Sequence, residues 1–171
     1  MTTLVLTVLG DDRPGLVDAL SGLISDHGGS WERSQMSRLG GKFAGIVQIV
    51  VPDAQVDELQ DALSALEADG SLHVTVSGAG IEPTGGRRHY AVSLVGTDQP
   101  GLVHAISSAL AAAGASIEEL DTEITEAPMS GGPLFEAFAS FTLPDSADIE
   151  DLRERLEDLA GHLMVDIELD R

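Results

Sequence analysis

The sequence predicts an α+β protein made of two consecutive copies of one βαββαβ unit. Three observations carry this prediction. The segment GDDRPGLV, Gly10–Val17, recurs as GTDQPGLV, Gly96–Val103, with six of eight residues in place. Helical and strand-like hydrophobic patterns follow the segment in the same order both times. In each copy a strand-like stretch ends alike, in VPD at 51–53 and in LPD at 143–145. A repeat of this length indicates two similar domains.

The first strand and the first helix of each copy flank the repeated segment. The strand is predicted at Leu4–Leu9 and at Tyr90–Val95, where apolar residues occupy both faces, as in a central strand covered on both sides. The helix is predicted from apolar residues at helical spacing. These are Leu16, Val17, Leu20, Leu23 and Ile24 in copy one and Leu102, Val103, Ile106 and Leu110 in copy two. Gly28, Gly29 and Gly114 follow and predict the helix ends.

Two strands joined as a hairpin come next. They span about 30–39 and 43–51 in copy one and about 116–126 and 134–143 in copy two. Gly40 and Gly41 between the first pair are a hairpin signal. The second hairpin is widened by residues 127–133, APMSGGP.

A second helix and a fourth strand complete each copy. The helix carries apolar residues at intervals of three, four and three, which predict one buried stripe opposite a charged face. These residues are Val56, Leu59, Leu63 and Leu66, then Ile149, Leu152, Leu156 and Leu159. The fourth strand is predicted near 72–77 and near 163–169. Each copy is therefore the split-βαβ, ferredoxin-like arrangement of four antiparallel strands with two helices on one face. We expect domains at 1–78 and 89–171, joined by a glycine-rich linker at 79–88.

Composition and charge restrict the function. The chain has 171 residues, of which 43% are hydrophobic and 22% charged, as in globular proteins. Its net charge is −20, and its nine Lys and Arg residues are scattered, with Arg87-Arg88 the one adjacent pair. Direct nucleic-acid binding needs clustered basic residues, so we expect none. The acidity fits either a solvated surface or an acidic face for a basic protein partner.

The compartment is expected to be cytoplasmic. No apolar run approaches the roughly 20 residues that span a bilayer, so no membrane contact is expected. The first residues, MTTLVL, lack the basic start of a signal peptide. The chain has no cysteine, hence no disulfide and no thiolate metal site.

The repeated segment has a chemistry of its own at a strand-to-helix corner. Pro14 and Pro100 suit the first turn of a helix. Asp12 and Asp98 lie near the N-cap position, where a carboxylate accepts backbone N–H groups. Gly15 lets a ligand approach the backbone closely. The remaining N–H groups and the helix dipole favour a small anion such as a carboxylate, and the nearby Asp could hold an ammonium group. The segment fits a free amino acid, or a capped helix start without a ligand.

The combination of DRPGLV or DQPGLV after strand one, inside a repeated βαββαβ unit, resembles the ACT domain. ACT domains are small regulatory modules that bind amino acids or similar metabolites at the interface between two copies. A chain of two ACT copies is similar to the glycine cleavage system transcriptional repressor group, which acts on a DNA-binding regulator in response to glycine. The resemblance implies a small amino-acid ligand and a protein partner. Strand faces without helices also need burial, which favours packing of the copies or a homodimer.

The resemblance also implies the ligand contacts, carried over by motif position. They would be Asp12, Arg13, Pro14, Gly15 and Leu16 in copy one and Asp98, Gln99, Pro100, Gly101 and Leu102 in copy two. Arg13 could pair with a ligand carboxylate, whereas Gln99 could only hydrogen-bond. The two sites therefore need not be equivalent, and copy one is the better candidate for holding a carboxylate.

The strand after the first helix differs in charge between the copies. Arg33, Gln35 and Ser37 of copy one correspond to Glu119, Asp121 and Glu123 of copy two. Alternate residues share one face of a strand, and in ACT proteins this strand often lies at an edge where copies join. We expect either that the two edges pair, with Arg33 against the acidic row, or that they are solvated faces that never meet.

Catalysis has no positive support in the sequence. The five histidines show no metal-ligand spacing, and there is no Gly-x-Ser-x-Gly elbow. We therefore expect no catalytic residues, no metal and no cofactor. Two functions remain: an amino-acid-sensing regulatory module that acts on a protein partner, and a ligand-free scaffold for interaction or dimerisation.

Overall fold

A computed structural model, which describes residues 1–70, 72–80, 86–126 and 131–170, confirms two βαββαβ units. The first unit contains β1 (Thr2–Asp11), α1 (Leu16–Asp26), β2 (Ser30–Leu39), β3 (Lys42–Val51), α2 (Val56–Ala68) and β4 (His73–Gly78). The second contains β5 (Arg87–Thr97), α3 (Leu102–Ala112), β6 (Ser116–Glu126), β7 (Pro133–Pro144), α4 (Ile149–Leu163) and β8 (Val165–Asp170). A short 3₁₀ turn, Asp53–Gln55, precedes α2. The predicted element order is therefore confirmed.

Each unit has its own antiparallel four-stranded sheet. The strand order is β2-β3-β1-β4 in the first and β6-β7-β5-β8 in the second, so β2, β4, β6 and β8 are edge strands of their sheets. The chain divides into compact units at Met1–Glu82 and Pro83–Arg171. Of the predicted linker, 79–88, residues 81–85 lie outside the described ranges, and β5 begins at Arg87.

Side-chain alternation along the central strands builds the core of the first unit. Leu4, Leu6 and Val8 of β1 are buried, and they pack in one cluster with the buried leucines and isoleucines of α1 and α2. Fully burying a side chain of this size stabilises the fold by about 1.5–3 kcal/mol. The opposite side of β1 has no helix over it, and Leu9 there is 48% exposed. The prediction that this strand is covered on both faces is wrong, because both helices lie on the same side of the sheet.

The second unit repeats this plan. Tyr90, Val92 and Leu94 of β5 are buried against α3 and α4, and the ring of Tyr90 stacks on Phe141 of β7 with 5.9 Å between centroids. Offset stacking of this kind adds about 0.5–1.5 kcal/mol beyond area burial. On the other side of β5, Val95 is 39% exposed. Both sheets thus keep one face free of helices.

The hairpins carry further features of the repeat. Gly40 and Gly41 have φ of 57° and 77°, the two positive values that a type I′ turn requires. The register of β2 on β3 shifts by one residue after Trp31, and that of β6 on β7 shifts after Ile117, so both copies have a bulge at the same place. Of the predicted widened loop, residues 127–130 lie outside the described chain.

Candidate functional site

The repeated segment forms an exposed corner between β1 and α1 and between β5 and α3. Gly15 is the N-cap residue of α1, with φ 89° and ψ 2°, and Gly101 is that of α3, with φ 94° and ψ 1°. Both are in the left-handed region, which glycine enters without the steric cost that a Cβ imposes. The glycines are therefore required by the backbone, whatever else they do.

Two local predictions at this corner are wrong. Pro14 and Pro100 precede the N-cap glycine and do not lie in the first turn of the helix. Asp12 and Asp98 are not capping residues either, because in the described chain no side chain caps α1 or α3. The physical reason is the left-handed glycine, which turns the chain into the helix one residue beyond the proline.

Asp12 instead ties the corner to the β2–β3 hairpin. Its backbone N–H donates to the carbonyl oxygen of Gly41 at 2.9 Å, and its carboxylate accepts a hydrogen bond from Arg38 Nη1 at 3.2 Å. In the second unit the backbone N–H of Asp98 donates to the carbonyl oxygen of Pro133 at 3.1 Å. The corner is thus held by the following hairpin in both copies.

The start of each helix leaves backbone donors without helical partners. The carbonyl of Gly15 accepts its helical bond from Ala19 at 2.9 Å, and that of Gly101 from Ala105 at 2.9 Å. The N–H groups before Ala19 and Ala105 are those that an α-helix cannot satisfy internally. A Cβ placed on either glycine would meet no atom within 4 Å, so the space above the corner is open. N–H groups of this kind, together with the helix dipole, favour a small anion at a helix start in general.

Arg13 and Gln99, which occupy the same position in the two copies, are used differently. Gln99 Nε2 donates to the carbonyl oxygen of Leu163 at 2.8 Å, in a partly buried bond. Arg13 is exposed, and within the described chain its guanidinium makes no hydrogen bond or ion pair. The pKa of Asp11 is lowered mainly by Lys42, and the charge of Arg13 adds to this. Copy one therefore presents a cation at the corner that copy two does not.

A depression of about 380 Å³ adjoins the corner of the first unit. Its lining residues are Leu9, Gly10, Asp11, Lys42, Glu67, Gly70, Leu72 and His73. Lys42 Nζ forms an ion pair with Asp11, and His73 Nδ1 contacts a carboxylate oxygen of Glu67. The hydrogen bond and the charge of Lys42 hold the pKa of Asp11 below its ordinary value.

Sequence reasoning missed Lys42, Glu67 and His73. Lys42 is the cross-strand partner of Asp11, and His73 is that of Leu9. Aligning β1 with β3 and β4 in the ferredoxin-like order would have brought Lys42 and His73 to the end of β1. Glu67 lies near the end of α2, and no pattern in the sequence places it there.

The described residues hold neither a metal-ligand cluster nor a membrane-spanning helix. Among residues 1–70, 72–80, 86–126 and 131–170, no group of three or more His, Asp or Glu side chains is arranged to hold a metal ion. In the same ranges, none of the helices has the length and apolar character required to cross a membrane.

The fold and the corner define a tandem protein of ferredoxin-like βαββαβ domains, each with a left-handed glycine at the start of its first helix. Family models of the ACT domain match residues 2–77 and 90–161. The chain therefore belongs to the ACT-domain family and contains two ACT domains in tandem. ACT domains are typically amino-acid-sensing regulatory modules.

Three similar proteins illustrate the relationship. The UPF0237 protein of Methanopyrus kandleri is 33% identical over 75 residues, which cover 40% of this chain and 83% of that protein. The crystal structure of an unknown protein from Galdieria sulphuraria is 30% identical with a TM-score of 0.85, covering 99% of this chain and 97% of that one. A provisionally assigned glycine cleavage system transcriptional repressor is 19% identical with a TM-score of 0.70, covering 99% and 96%. At that identity the last likeness concerns the fold alone.

Proposed function

We propose that this chain is a non-catalytic, cytoplasmic regulatory module that binds a small free amino acid at the corner between β1 and α1. Glycine is the first candidate ligand. The bound state is passed to a protein partner, for which a DNA-binding transcription regulator is the first candidate. The observation that carries the proposal is the left-handed glycine corner of an ACT domain, with the exposed Arg13 two residues before the N-cap Gly15.

The chemistry of the corner supports an amino acid as the ligand. A carboxylate would accept hydrogen bonds from the first N–H groups of α1 and a charged bond from the guanidinium of Arg13. An α-ammonium group would lie against the carboxylates of Asp11 or Asp12. The proposed contacts are Asp12, Arg13, Pro14, Gly15 and Leu16.

The corresponding corner of the second unit is proposed as a weaker or vacant site. Its contacts would be Asp98, Gln99, Pro100, Gly101 and Leu102. Gln99 already donates to Leu163, and an amide offers a carboxylate no charge. A ligand at this corner would rely on the backbone N–H groups alone.

The net charge of −20 supports a protein partner rather than direct contact with nucleic acid. The likeness to a provisionally assigned glycine cleavage system transcriptional repressor supports glycine as the first candidate ligand and transcription as the first candidate process.

In the proposal a second ACT copy completes the ligand site. A ligand-dependent change in sedimentation would show that a second chain supplies that copy.

The test is thermal unfolding and calorimetry of the full chain with each of the twenty amino acids. Ligand at 100 times its Kd should add about 2.7 kcal/mol of stability. Arg13→Ala should abolish most of this gain, whereas Arg155→Ala, the same charge change on the exposed side of α4, should retain it. If no amino acid stabilised the chain at millimolar concentration, the sensor function would be refuted.

A ligand-free interaction scaffold is the second candidate function. It is favoured by the contacts of Asp12 with Arg38 and Gly41, which hold the corner without any ligand. Self-association of the wild-type chain that no amino acid alters would support this scaffold.

A further inference from the structure

The helix-free face of the second unit's sheet carries an ordered set of carboxylates, which we call the acidic sheet face. Cross-strand pairing places its side chains in three rows from β8 across β5 and β7 to β6. The rows are Asp166–Val95–Glu136–Glu123, Glu168–Ser93–Phe138–Asp121 and Asp170–Ala91–Ser140–Glu119. Every row begins and ends with a carboxylate, while its middle is mostly small or apolar.

The middle of this face is exposed apolar surface. Phe138 is 43% exposed and Val95 is 39% exposed, although each lies on a central strand of the sheet. The edge carboxylates lie three strand spacings apart, or about 14 Å. They therefore form two parallel acidic edges on either side of an apolar strip.

The acidic edges have no counter-charge among the described residues of the chain. None of the six edge carboxylates takes part in an ion pair there. The two basic residues that β5 places on this face have other partners. Arg87 donates to the hydroxyl and carbonyl oxygens of Thr142 and to the carbonyl of Gly114, and His89 Nδ1 lies 3.1 Å from Glu118.

One pair on this face is unfavourable for folding. Glu123 lies directly opposite Glu136, and like charges at such positions destabilise a sheet. Glu136 Oε1 accepts a hydrogen bond from Thr125 Oγ1 at 3.0 Å. This bond does not remove the repulsion between the carboxylates of Glu123 and Glu136. A positively charged binding partner would relieve it.

The first unit shows that the fold does not require this charge. Its edge positions on the same face, found from the same strand pairings, are Arg33, Gln35, Ser37, His73, Thr75 and Ser77. None is acidic, although the central position equivalent to Phe138, Ile46, is likewise 53% exposed. The acidic edges are therefore a property of the second unit alone.

We propose that the acidic sheet face is the docking surface for a basic amphipathic α-helix of a protein partner. An α-helix with its side chains is about 10–12 Å wide, which fits between edges about 14 Å apart. Carboxylates recur along each edge every two residues, about 6.8 Å, and residues four apart on a helix are about 6 Å apart. Lys or Arg at every fourth position on both flanks would meet the edges, with an apolar stripe over Val95 and Phe138.

This inference takes from the proposed function only the existence of a protein partner. Its test contains no amino-acid ligand, so failure of one proposal leaves the other standing. The probe is a synthetic helical peptide with a leucine stripe and lysines at every fourth position on each flank. Its Kd for the full chain is measured by calorimetry, and the contact surface is mapped from amide chemical shifts.

A matched pair of variants separates docking from general attraction to an acidic protein. The first is the β6 triple Glu119→Gln, Asp121→Asn and Glu123→Gln. The control is the α4 triple Glu154→Gln, Glu157→Gln and Asp158→Asn, which removes the same charge from an exposed helix face. We expect the first to raise the peptide Kd about tenfold and the control less than about twofold. Phe138→Ala should also weaken binding several-fold.

Three results would overturn the proposal. One is equal weakening by both triples. Another is shift changes in the wild-type chain confined to residues outside β5–β8, a readout that does not depend on how any variant folds. The third is self-association of the chain that the β6 triple abolishes, because the occupant would then be a second copy.

Discussion

The side-chain amide of Gln99 donates a hydrogen bond to the backbone carbonyl of Leu163, with 2.8 Å between nitrogen and oxygen. Leu163 is the last residue of α4, so this bond ties the corner before α3 to the end of the second helix of the same unit. Arg13, at the same position of the repeat, is exposed and makes no such bond in the described chain. One copy of the segment has a structural side chain where the other has an available cation.

This difference predicts unequal effects of the two side chains on stability. Gln99→Ala should lower the free energy of unfolding by about 1 kcal/mol, because it removes a partly buried hydrogen bond. Arg13→Ala should change it by less than about 0.5 kcal/mol, as exposed substitutions usually do. Urea unfolding followed by circular dichroism measures both. Equal losses in the two variants would contradict the assigned roles.

The corner glycines should be intolerant of a side chain for backbone reasons alone. Gly15→Ala should destabilise the protein by about 1–2 kcal/mol, because φ is 89° and a Cβ is unfavourable in the left-handed region. Gly22 is the matched control, since a Cβ there also meets no atom within 4 Å but the residue lies inside α1. Gly22→Ala should stabilise by about 0.5–1 kcal/mol. If both variants were equally stable, the left-handed corner would be wrong.

The sequence predicted the element order but not the details of the corner, and the reason is physical. Strand and helix periodicities repeat over many residues, so a pattern such as Leu4, Leu6 and Val8 reports which face is buried. The conformation of Gly15 is a single-residue property with no periodicity. The prediction therefore placed Pro14 in the first turn of α1, although the helix begins only at Leu16. Lys42 and His73 reach the corner only through cross-strand register, which local patterns do not contain.

The ion pair between Asp11 and Lys42 makes a prediction about acid stability. The hydrogen bond and charge of Lys42 lower the pKa of Asp11 in the folded chain. A lowered pKa in the folded state contributes stability above the unfolded pKa, near 4, and this contribution is lost as pH falls through the folded value. The urea midpoint of Asp11→Asn should therefore be lower than that of wild type at pH 6, and the two should converge as pH falls from about 4 through the lower folded pKa of Asp11.

Lys42→Met is the control for that pH dependence. It removes the cause of the lowered pKa while retaining the Asp11 carboxyl, so its midpoint should also approach that of wild type in acid. A difference between Asp11→Asn and wild type that persists unchanged at low pH would show that Asp11 acts through packing rather than through its charge.

Met164 offers a stabilising substitution at the end of α4. It is the one non-glycine residue with positive φ in the described chain, at 53°, and its side chain is 87% exposed. Because the side chain buries almost nothing, its Cβ mainly imposes left-handed strain. Met164→Gly should raise the free energy of unfolding by about 1 kcal/mol, as expected for glycine after a helix end. Met164→Ala retains the Cβ and should leave stability within about 0.5 kcal/mol of wild type. Equal stabilisation by both variants in urea unfolding would assign the effect to the exposed thioether chain instead of the backbone.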